Sequence, residues 1–438
     1  MMSRIKARQL AASPFLRADP WTLPELSDKN SQQKIVGTSR FCRHVLTNDY
    51  EGAWREIEPH IDRDPKFLTS LKSHACSKFL SLLPDGSITS ERQWPRAAKF
   101  VNAMRKSGLD LTVNDYICLI NLAFKAHDYL AVRDLWHQIQ VVHPELLTNA
   151  NLWNAYIQAS CQSYPLFWPG PASPQRIKAE NAPEATENVM DLVHKMELVG
   201  AAPNYRTCEL ILLAFARRNR LDMATAVVER AWLSTKASDS SILSPSHSTL
   251  VAIIEAWAFN DRLPEGLELM LKLQKMYSIP LGSQEALHLW IRSLRLAEVN
   301  LKPKGKYPKD FFDDIWNLAQ EHKVTPSLGM WMIRIERLDA SNRFSNIVED
   351  IPKILATKLF PWLNESQRRN CAEVALTRAV KGYANTGMAL EALSLLEKWA
   401  QDGLDLRIKL QDYVKWRSGM TPEQLQIYQD DDDGGDWF

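Results

Sequence analysis

Glycine is scarce in this chain, with 16 residues among 438, about half of the share of roughly 7% that is usual in proteins. Tight β-turns depend on glycine, so a fold rich in β-hairpins is poorly supplied. Long apolar runs are also missing, because stretches such as 210–216 fall far short of the roughly 20 residues that cross a bilayer. The sequence therefore predicts a helical protein without a membrane span.

Net charge is nearly absent, since 53 lysines and arginines oppose 52 aspartates and glutamates and leave +1. This balance excludes a histone-like polycation that binds phosphate by bulk charge alone. The six cysteines stand at least 34 residues apart, so no CxxC pair exists for zinc or redox chemistry. We expect them to be reduced and to act as small buried apolar side chains.

Catalytic motifs are missing as well. The sequence contains no glycine-rich phosphate loop, no GxSxG elbow and no HExxH. Asp310, Asp313 and Asp314 lie close together, but they precede an apolar helix, where acids favour the helix dipole. We therefore predict a protein that is not an enzyme and takes no cofactor, no metal and no small-molecule substrate.

The two ends of the chain carry opposite charge. Arg4, Lys6, Arg8 and Arg17 precede the first acid, Asp19, and apolar residues lie between them. This pattern predicts a mitochondrial presequence over residues 1–28 and a location in the mitochondrial matrix; a basic N-terminus without a targeting role is the alternative. Residues 404–438 form a predicted extension that finishes in an acidic tail.

An internal repeat decides the predicted fold. Met104 with Gly108, Met196 with Gly200 and Trp399 with Gly403 each follow an apolar stripe at helical spacing, and the glycine can end the helix in the left-handed conformation. Equivalent helix ends recur at a minimum spacing of 35 residues and are placed at Ile57, Met104, Ile139, Met196, Trp232, Met276, Leu318, Leu355 and Trp399.

The repeat predicts an all-α protein, an α-solenoid of about nine helix-turn-helix hairpins. The clearest predicted helix pairs are 113–126 with 128–140, 205–220 with 221–236, and 246–259 with 261–277. We assign N-terminal repeats to 29–163 and C-terminal repeats to 184–403. The proline-rich segment 164–183 between them is predicted to be an insertion or linker.

A two-helix unit of 35 residues that closes on Met-x-x-x-Gly-x-x-Pro, as at Met196, Gly200 and Pro203, resembles the pentatricopeptide repeat. The resemblance covers roughly residues 31–403 and is best between 94 and 277. The tetratricopeptide repeat is the nearest competitor, but its Trp…Leu-Gly…Tyr signature is not found. The resemblance implies single-stranded RNA bound along the concave face, which the first helix of each hairpin lines.

In members of the family, a residue near the start of each first helix reads a base together with the residue that closes the repeat. The alignment places Cys118, Ala155, Glu209 and Ala252 at the first position, with Asn204 and His247 among the closing residues. The family usually has Thr, Ser or Asn paired with Asp or Asn. This chain departs from that choice at nearly every unit, so no target sequence is predicted.

Charge divides between the two kinds of predicted helix. The nine first helices sum to +12 and the nine second helices to −7, which is the sign that a phosphate-binding face requires. Chance, with solvated cations offsetting helix dipoles, is the alternative. The cations that we assign to RNA binding are Arg40, Arg43, Lys72, Lys78, Arg217, Arg218, Arg220, Arg368, Arg369, Arg378 and Lys381.

These observations predict a mitochondrial RNA-binding protein that supports the stability, processing or translation of an organellar transcript. A protein-binding solenoid is the main alternative, acting as an adaptor for the mitochondrial ribosome or for complex assembly. A metal-dependent ribonuclease is a more remote alternative and rests on the Asp310, Asp313 and Asp314 cluster alone.

Overall fold

The computed structural model describes residues 40–63, 65–71, 73–83, 90–161, 188–233, 244–300, 310–357 and 365–419. All regular structure in these ranges is helical, so the predicted all-α class is confirmed. The chain divides into two compact units, of which the first holds described residues 40–161 and 188–202 and the second those from 203 onward. The predicted presequence, the proline-rich segment 164–183 and the acidic tail lie outside the described residues.

The described residues of the first unit form four hairpins. Their helices are α1 (40–46), α2 (Tyr50–Arg63), α3 (Ser73–Leu82), α4 (Ser90–Lys106), α5 (Val113–Lys125), α6 (Tyr129–Val142), α7 (Ala150–Ser160) and α8 (Val189–Leu198). The first helix of one hairpin packs on the first helix of the next, as α3 does on α5 and α5 on α7. This stacking is the arrangement of an α-solenoid.

Where the structure describes the second unit, it forms five hairpins and one further helix. Its helices are α9 (Tyr205–Arg217), α10 (Leu221–Val228), α11 (His247–Phe259), α12 (Leu263–Tyr277), α13 (Leu287–Asn300), α14 (Phe311–Glu321), α15 (Leu328–Ala340), α16 (Phe344–Ala356), α17 (Glu365–Asn385), α18 (Ala389–Gln401) and α19 (Arg407–Ser418). The first helices α9, α11, α13, α15 and α17 contact one another in that order. Four hairpins in one unit and five in the other confirm the predicted nine.

Two elements differ from the sequence-based expectation. Helix α19 lies in the predicted extension and packs on α17 and α18. Its buried stripe is short, since Leu410 and Val414 are buried whereas Ile408 and Trp416 are exposed. The second helix that was expected over 221–236 ends at Val228 and continues as a π-helical turn over Glu229–Leu233, which buries Trp232. No described helix has the length and the apolar character to cross a membrane.

The spacing from methionine to glycine has a backbone explanation. Gly108, Gly200 and Gly403 have φ angles of +71°, +81° and +86°, in the left-handed region that glycine adopts without a steric cost. In each case the next residue donates its amide hydrogen to the carbonyl five residues earlier. The bonds are Leu109 to Met104 at 3.0 Å, Ala201 to Met196 at 3.1 Å and Leu404 to Trp399 at 2.8 Å.

The first helices end by the same geometry, but mostly without glycine. Their left-handed residues have φ angles between +56° and +60° and are Asn48, His127, Asn219, Asp261 and Asn342. Asparagine and aspartate visit this region more readily than other side chains. These turns are a second repeating signal in the sequence, and they mark the ends of the first helices.

The cysteines lie on or beside first helices. All six are among the described residues, and no disulfide joins any of them. Cys42, Cys76, Cys161 and Cys371 are buried, whereas Cys118 and Cys208 are half-buried. Burial raises the pKa of the Cys76 thiol to about 12, so this thiol stays protonated at neutral pH. The expectation of buried cysteines is therefore confirmed for four of the six.

The contact between Gly382 of α17 and Phe344 of α16 gives a test of the packing. A Cβ atom on Gly382 would overlap the ring of Phe344, which is buried. We expect Gly382→Ala to lower the free energy of unfolding by about 1–3 kcal/mol, as overpacking does elsewhere. Gly329→Ala in α15 is the control, because its added methyl would meet no heavy atom nearer than 3.6 Å. Urea unfolding followed by circular dichroism measures both, and equal effects would contradict this packing.

Candidate nucleic-acid interface

Polar contacts join the first helices of the second unit from one hairpin to the next. Each contact pairs a carboxylate on one first helix with a hydroxyl or guanidinium group on a neighbouring first helix. We call these contacts the first-helix ladder; its pairs are Glu209 with Thr249 at 2.7 Å, Glu255 with Arg292 at 2.6 Å, Glu336 with Arg295 at 2.6 Å and Asp339 with Arg378 at 2.9 Å.

Glu209 forms the most buried rung of this ladder. Its side chain is 0% exposed, and it accepts hydrogen bonds from Ser248 and Thr249 of α11 at 2.8 and 2.7 Å. Arg206, one turn earlier on α9, donates to its other oxygen at 2.9 Å. A buried carboxylate is tolerated only when it is bonded in this way. Glu209 thus holds α9 and α11 in register.

Glu255 on α11 is almost as deeply buried, with 3% of its side chain exposed. Arg292 of α13 donates to its Oε1 atom. Burial raises the pKa of the Glu255 carboxyl group, while the nearby Arg292 guanidinium acts in the opposite direction. The Oε2 atom is buried too, and it has no hydrogen-bond partner in the described part of the chain.

A related contact occurs in the first unit. Ser77 of α3 donates to Asp115 of α5 at 2.9 Å, and Asp115 is 1% exposed. The same carboxylate accepts from the backbone amide of Thr112 and completes the capping box that begins α5. One buried acid therefore both starts a first helix and connects it to its neighbour.

The predicted cations of the first unit point to solvent where they are described. Arg40, Arg43 and Lys78 are exposed, whereas Lys72 lies outside the described residues. Their assignment to RNA binding stays a prediction.

Arg217, Arg218 and Arg220 lie together at the turn between α9 and α10. Arg217 is half-buried and ends α9, Arg218 is exposed at its C-cap, and Arg220 precedes α10. Arg220 also forms an exposed ion pair with Asp222 at 2.9 Å. The three residues thus place positive charge at a helix C-terminus, where the dipole favours it.

The cations predicted on α17 make structural contacts. Arg368 donates to the carbonyl oxygens of Leu355 and Thr357, and Arg369 donates to the carbonyl of Gly403. Arg378 belongs to the first-helix ladder. The Lys381 ammonium group lies 5.2 Å from the centre of the Tyr413 ring on α19. These four side chains hold the last two hairpins and α19 together.

The predicted base-reading positions differ in what they offer. Ala155 and Ala252 are 5% exposed and carry only a methyl group, and Cys118 is half-buried. Asn204 caps α9 by accepting from the amide of Thr207. Glu209 presents no oxygen to solvent in this conformation. The roles of these residues in reading bases stay predictions.

A cavity of about 310 Å³ opens across three consecutive first helices of the second unit. Its floor includes apolar side chains of α9, α11 and α13, and its polar groups are Arg206, His247, Ser248, Glu255, Glu285 and His288. The His247 Nε2 atom lies 2.9 Å from the Pro280 carbonyl. A concave site with an apolar floor and a few converging polar groups is typical of ligand recognition. No sequence motif marked it, because its lining comes from three hairpins.

Asp310 and Asp313, which suggested a metal site in the sequence, have structural roles. Asp313 forms ion pairs with Arg343 and, at 3.6 Å, with Arg334, and Asp310 is the N-cap of α14. In the ranges that the structure describes, no group of three or more side chains could hold a metal ion. Asp313 is thus engaged in packing α14 against the next hairpin.

Comparisons with known proteins complete the description of this region. Residues 205–312 match the ATP13 family, which is described as mitochondrial ATPase expression. No curated protein matches the chain. The solved structures that are similar include the pentatricopeptide repeat protein PPR10 from maize, and PPR10 in complex with an 18-nt psaJ RNA element.

The likeness to these two structures is distant. Both are 13% identical to this chain, with TM-scores of 0.45 and 0.44. The alignments cover 97% and 91% of this chain, but 60% and 52% of the PPR10 chains. The chain thus spans between half and two thirds of the length of the structures that it matches.

The most buried rung of the first-helix ladder can be tested by stability. We expect Glu209→Ala to lower the free energy of unfolding by about 2–4 kcal/mol, because Ser248 and Thr249 lose a buried acceptor. Glu209→Gln keeps one acceptor and should cost about 1 kcal/mol. The control is Glu268→Ala on the exposed face of α12, which should stay within about 0.5 kcal/mol. Urea unfolding measures all three, and a neutral Glu209→Ala would refute the structural role.

Proposed function

We propose that this chain is an RNA-binding factor that supports the expression of a mitochondrial transcript. In this proposal a single RNA strand lies over the first helices of the second unit. The observation that carries it is the coincidence of two features in residues 205–312. The cavity across α9, α11 and α13 lies there, and so does the match to a family described as mitochondrial ATPase expression.

The chemistry of the cavity suits a single strand better than a duplex. Unpaired bases bind by stacking and by hydrogen bonds from their edges, while phosphates contact arginine side chains. The cavity is lined by apolar side chains at Leu213 and Leu289 and by Arg206, whose guanidinium group bonds Glu209 and whose side chain is 33% exposed. Arg218 and Arg220 are exposed at the α9–α10 turn of the same unit, where Arg220 also pairs with Asp222. A strand could therefore place a base in the cavity and its phosphates near these arginines.

We do not propose that each hairpin reads one base. Ala155 and Ala252 carry no hydrogen-bonding group, and the Glu209 carboxylate is occupied by its neighbours. Selection by shape, stacking and a small number of polar contacts suits such positions better. The finer parts of the proposal are a location in the matrix and a role in transcript stability, processing or translation.

The function is tested in cells that express a tagged chain. Ultraviolet crosslinking and sequencing should recover mitochondrial RNA above the background of an untagged strain. Imaging with and without residues 1–28 should show mitochondrial signal only for the full chain, because these residues supply the predicted presequence. A cytosolic or nuclear location of the full chain, or crosslinking that recovers no RNA, would refute the proposal.

A protein-binding adaptor is the second candidate, and one observation favours it. Large apolar side chains on α6 and α8 of the first unit are exposed, namely Leu130, Val141, Val142, Met190 and Leu198. Exposed apolar side chains of this size are candidates for contact with a protein partner. Purification in the presence of nuclease separates the two candidates. A stoichiometric protein partner that survives nuclease, without crosslinked RNA, would favour the adaptor.

Charge reversal at the α9–α10 turn tests the electrostatic part of the proposal. Arg218→Glu combined with Arg220→Glu should weaken RNA binding about ten-fold and reduce the magnitude of the salt slope by about 2. Lys272→Glu combined with Lys275→Glu, on the exposed face of the second helix α12, changes the net charge equally and should leave affinity within about two-fold. Fluorescence anisotropy across a salt series measures both. Equal losses would show that only net charge matters.

A further inference from the structure

We infer that the cavity across α9, α11 and α13 is a recess for one guanine base, which Glu255 recognises by accepting hydrogen bonds at Oε2. This inference rests on the proposed function, since it requires that the chain binds RNA. It deepens that function by naming a specificity-determining residue and the base that the residue selects.

Glu255 has one carboxylate oxygen, Oε2, that accepts no hydrogen bond in the described ranges. Glu255 lines the cavity, its side chain is 3% exposed, and its Oε1 atom is bonded to Arg292 at 2.6 Å. The Oε2 atom is buried and has no hydrogen-bond partner in the described ranges. A buried polar atom without a partner costs free energy. A ligand that brings N–H donors to Oε2 would recover that cost.

The charge of the Glu255 carboxyl group determines which ligand atoms it can bond. Burial raises the pKa of the Glu255 carboxyl group, and the Arg292 guanidinium group 2.6 Å from Oε1 opposes that rise. In its ionised form, which Arg292 stabilises, the carboxylate can only accept hydrogen bonds. Arg206, which also lines the cavity, adds further positive charge on the opposite helix. The recess therefore selects a ligand that presents donors to Glu255, and it disfavours one that presents carbonyl oxygens there.

Guanine matches the acceptor at Oε2 of Glu255 better than the other bases do. Guanine carries a ring N–H and an amino group side by side, so a single oxygen can accept from both. Uracil offers one N–H between two carbonyl oxygens, which the carboxylate repels. In adenine and cytosine the amino group adjoins a ring nitrogen that is itself an acceptor. Guanine therefore gives Oε2 the most favourable set of contacts.

The size and the shape of the cavity also limit the ligand. A volume of about 310 Å³ is at the lower limit of ligand pockets, which run from about 300 to 1,000 Å³. Leu213 and Val251 supply apolar surface on α9 and α11, and Leu289 does so on α13. Such surfaces pack against the flat faces of a base. The recess suits one base rather than a larger ligand.

The test measures the affinity of the full chain for fluorescein-labelled RNA 14-mers by anisotropy. The probes are all-uridine RNA and the same RNA with one central guanosine, inosine or adenosine. The wild-type chain should prefer the guanosine probe to all-uridine RNA by about ten-fold, the size of a good base contact. Inosine lacks the amino group and should show a smaller preference, of about three-fold.

Glu255→Gln gives the sharpest outcome. Arg292 requires an acceptor, so the amide oxygen should turn toward it and leave the amide NH₂ group facing the recess. The guanosine preference should fall below about two-fold or reverse in favour of uridine. Val251→Trp fills the recess, leaves the Glu255–Arg292 pair intact and should abolish the preference as well. This second variant keeps the inference testable if Glu255→Gln fails to fold, which thermal unfolding shows.

Glu336→Gln is the matched control. It alters another ion pair of the first-helix ladder, with the same 2.6 Å length, on a side chain that is not among those lining the cavity. It should keep the guanosine preference. Loss of the preference in this control, or its persistence in Glu255→Gln and Val251→Trp, would overturn the recess while leaving RNA binding intact. Absence of binding to every probe would overturn the proposed function and the recess together.

Discussion

The stacking of first helices depends on carboxylates that are buried between hairpins. Glu209, Glu255 and Asp115 lose nearly all contact with water, and a buried carboxylate without bonded partners would destabilise the fold strongly. Partners for Glu209 and Glu255 come from the next hairpin, and Asp115 takes one from the preceding hairpin. Hydrophobic surface alone would let neighbouring helices slide past one another, because apolar contacts are not directional. The acids therefore fix the register in which the apolar stripes meet.

The same requirement shapes the surface on which an RNA strand would lie. Arginines that complete the ladder, such as Arg292 and Arg378, have their charge directed at a neighbouring carboxylate. Phosphate binding must then draw on cations outside the ladder, of which Arg218 at the α9–α10 turn is an exposed example. The net charge summed over helices does not distinguish the arginines of the ladder from the cations outside it. A surface of this kind offers few strong phosphate contacts, so stacking and individual base contacts gain weight in recognition.

Much of the fold could be predicted from the sequence, because its signals are local. Met196 with Gly200 defines a helix end through a bond that spans five residues, and the recurrence of helix ends at a spacing of 35 residues or more sets the number of hairpins. Helix α19 was missed because only Leu410 and Val414 mark its buried side. The site was less accessible to prediction. Glu255 and Arg292 stand 37 residues apart, so their pairing depends on the lengths of the intervening turns, and an unbonded Oε2 atom has no counterpart in a sequence pattern.

The separations within the ladder also bear on how the chain folds. Glu209 and Thr249 are 40 residues apart, and Asp339 and Arg378 are 39 apart, so these rungs connect only adjacent hairpins. Contacts of such short range favour fast formation, and an array built on them can nucleate at any hairpin and propagate in both directions. A broken rung would then divide the second unit into two cooperative segments. Each segment would melt at its own temperature, and hydrogen exchange would spread outward from the break.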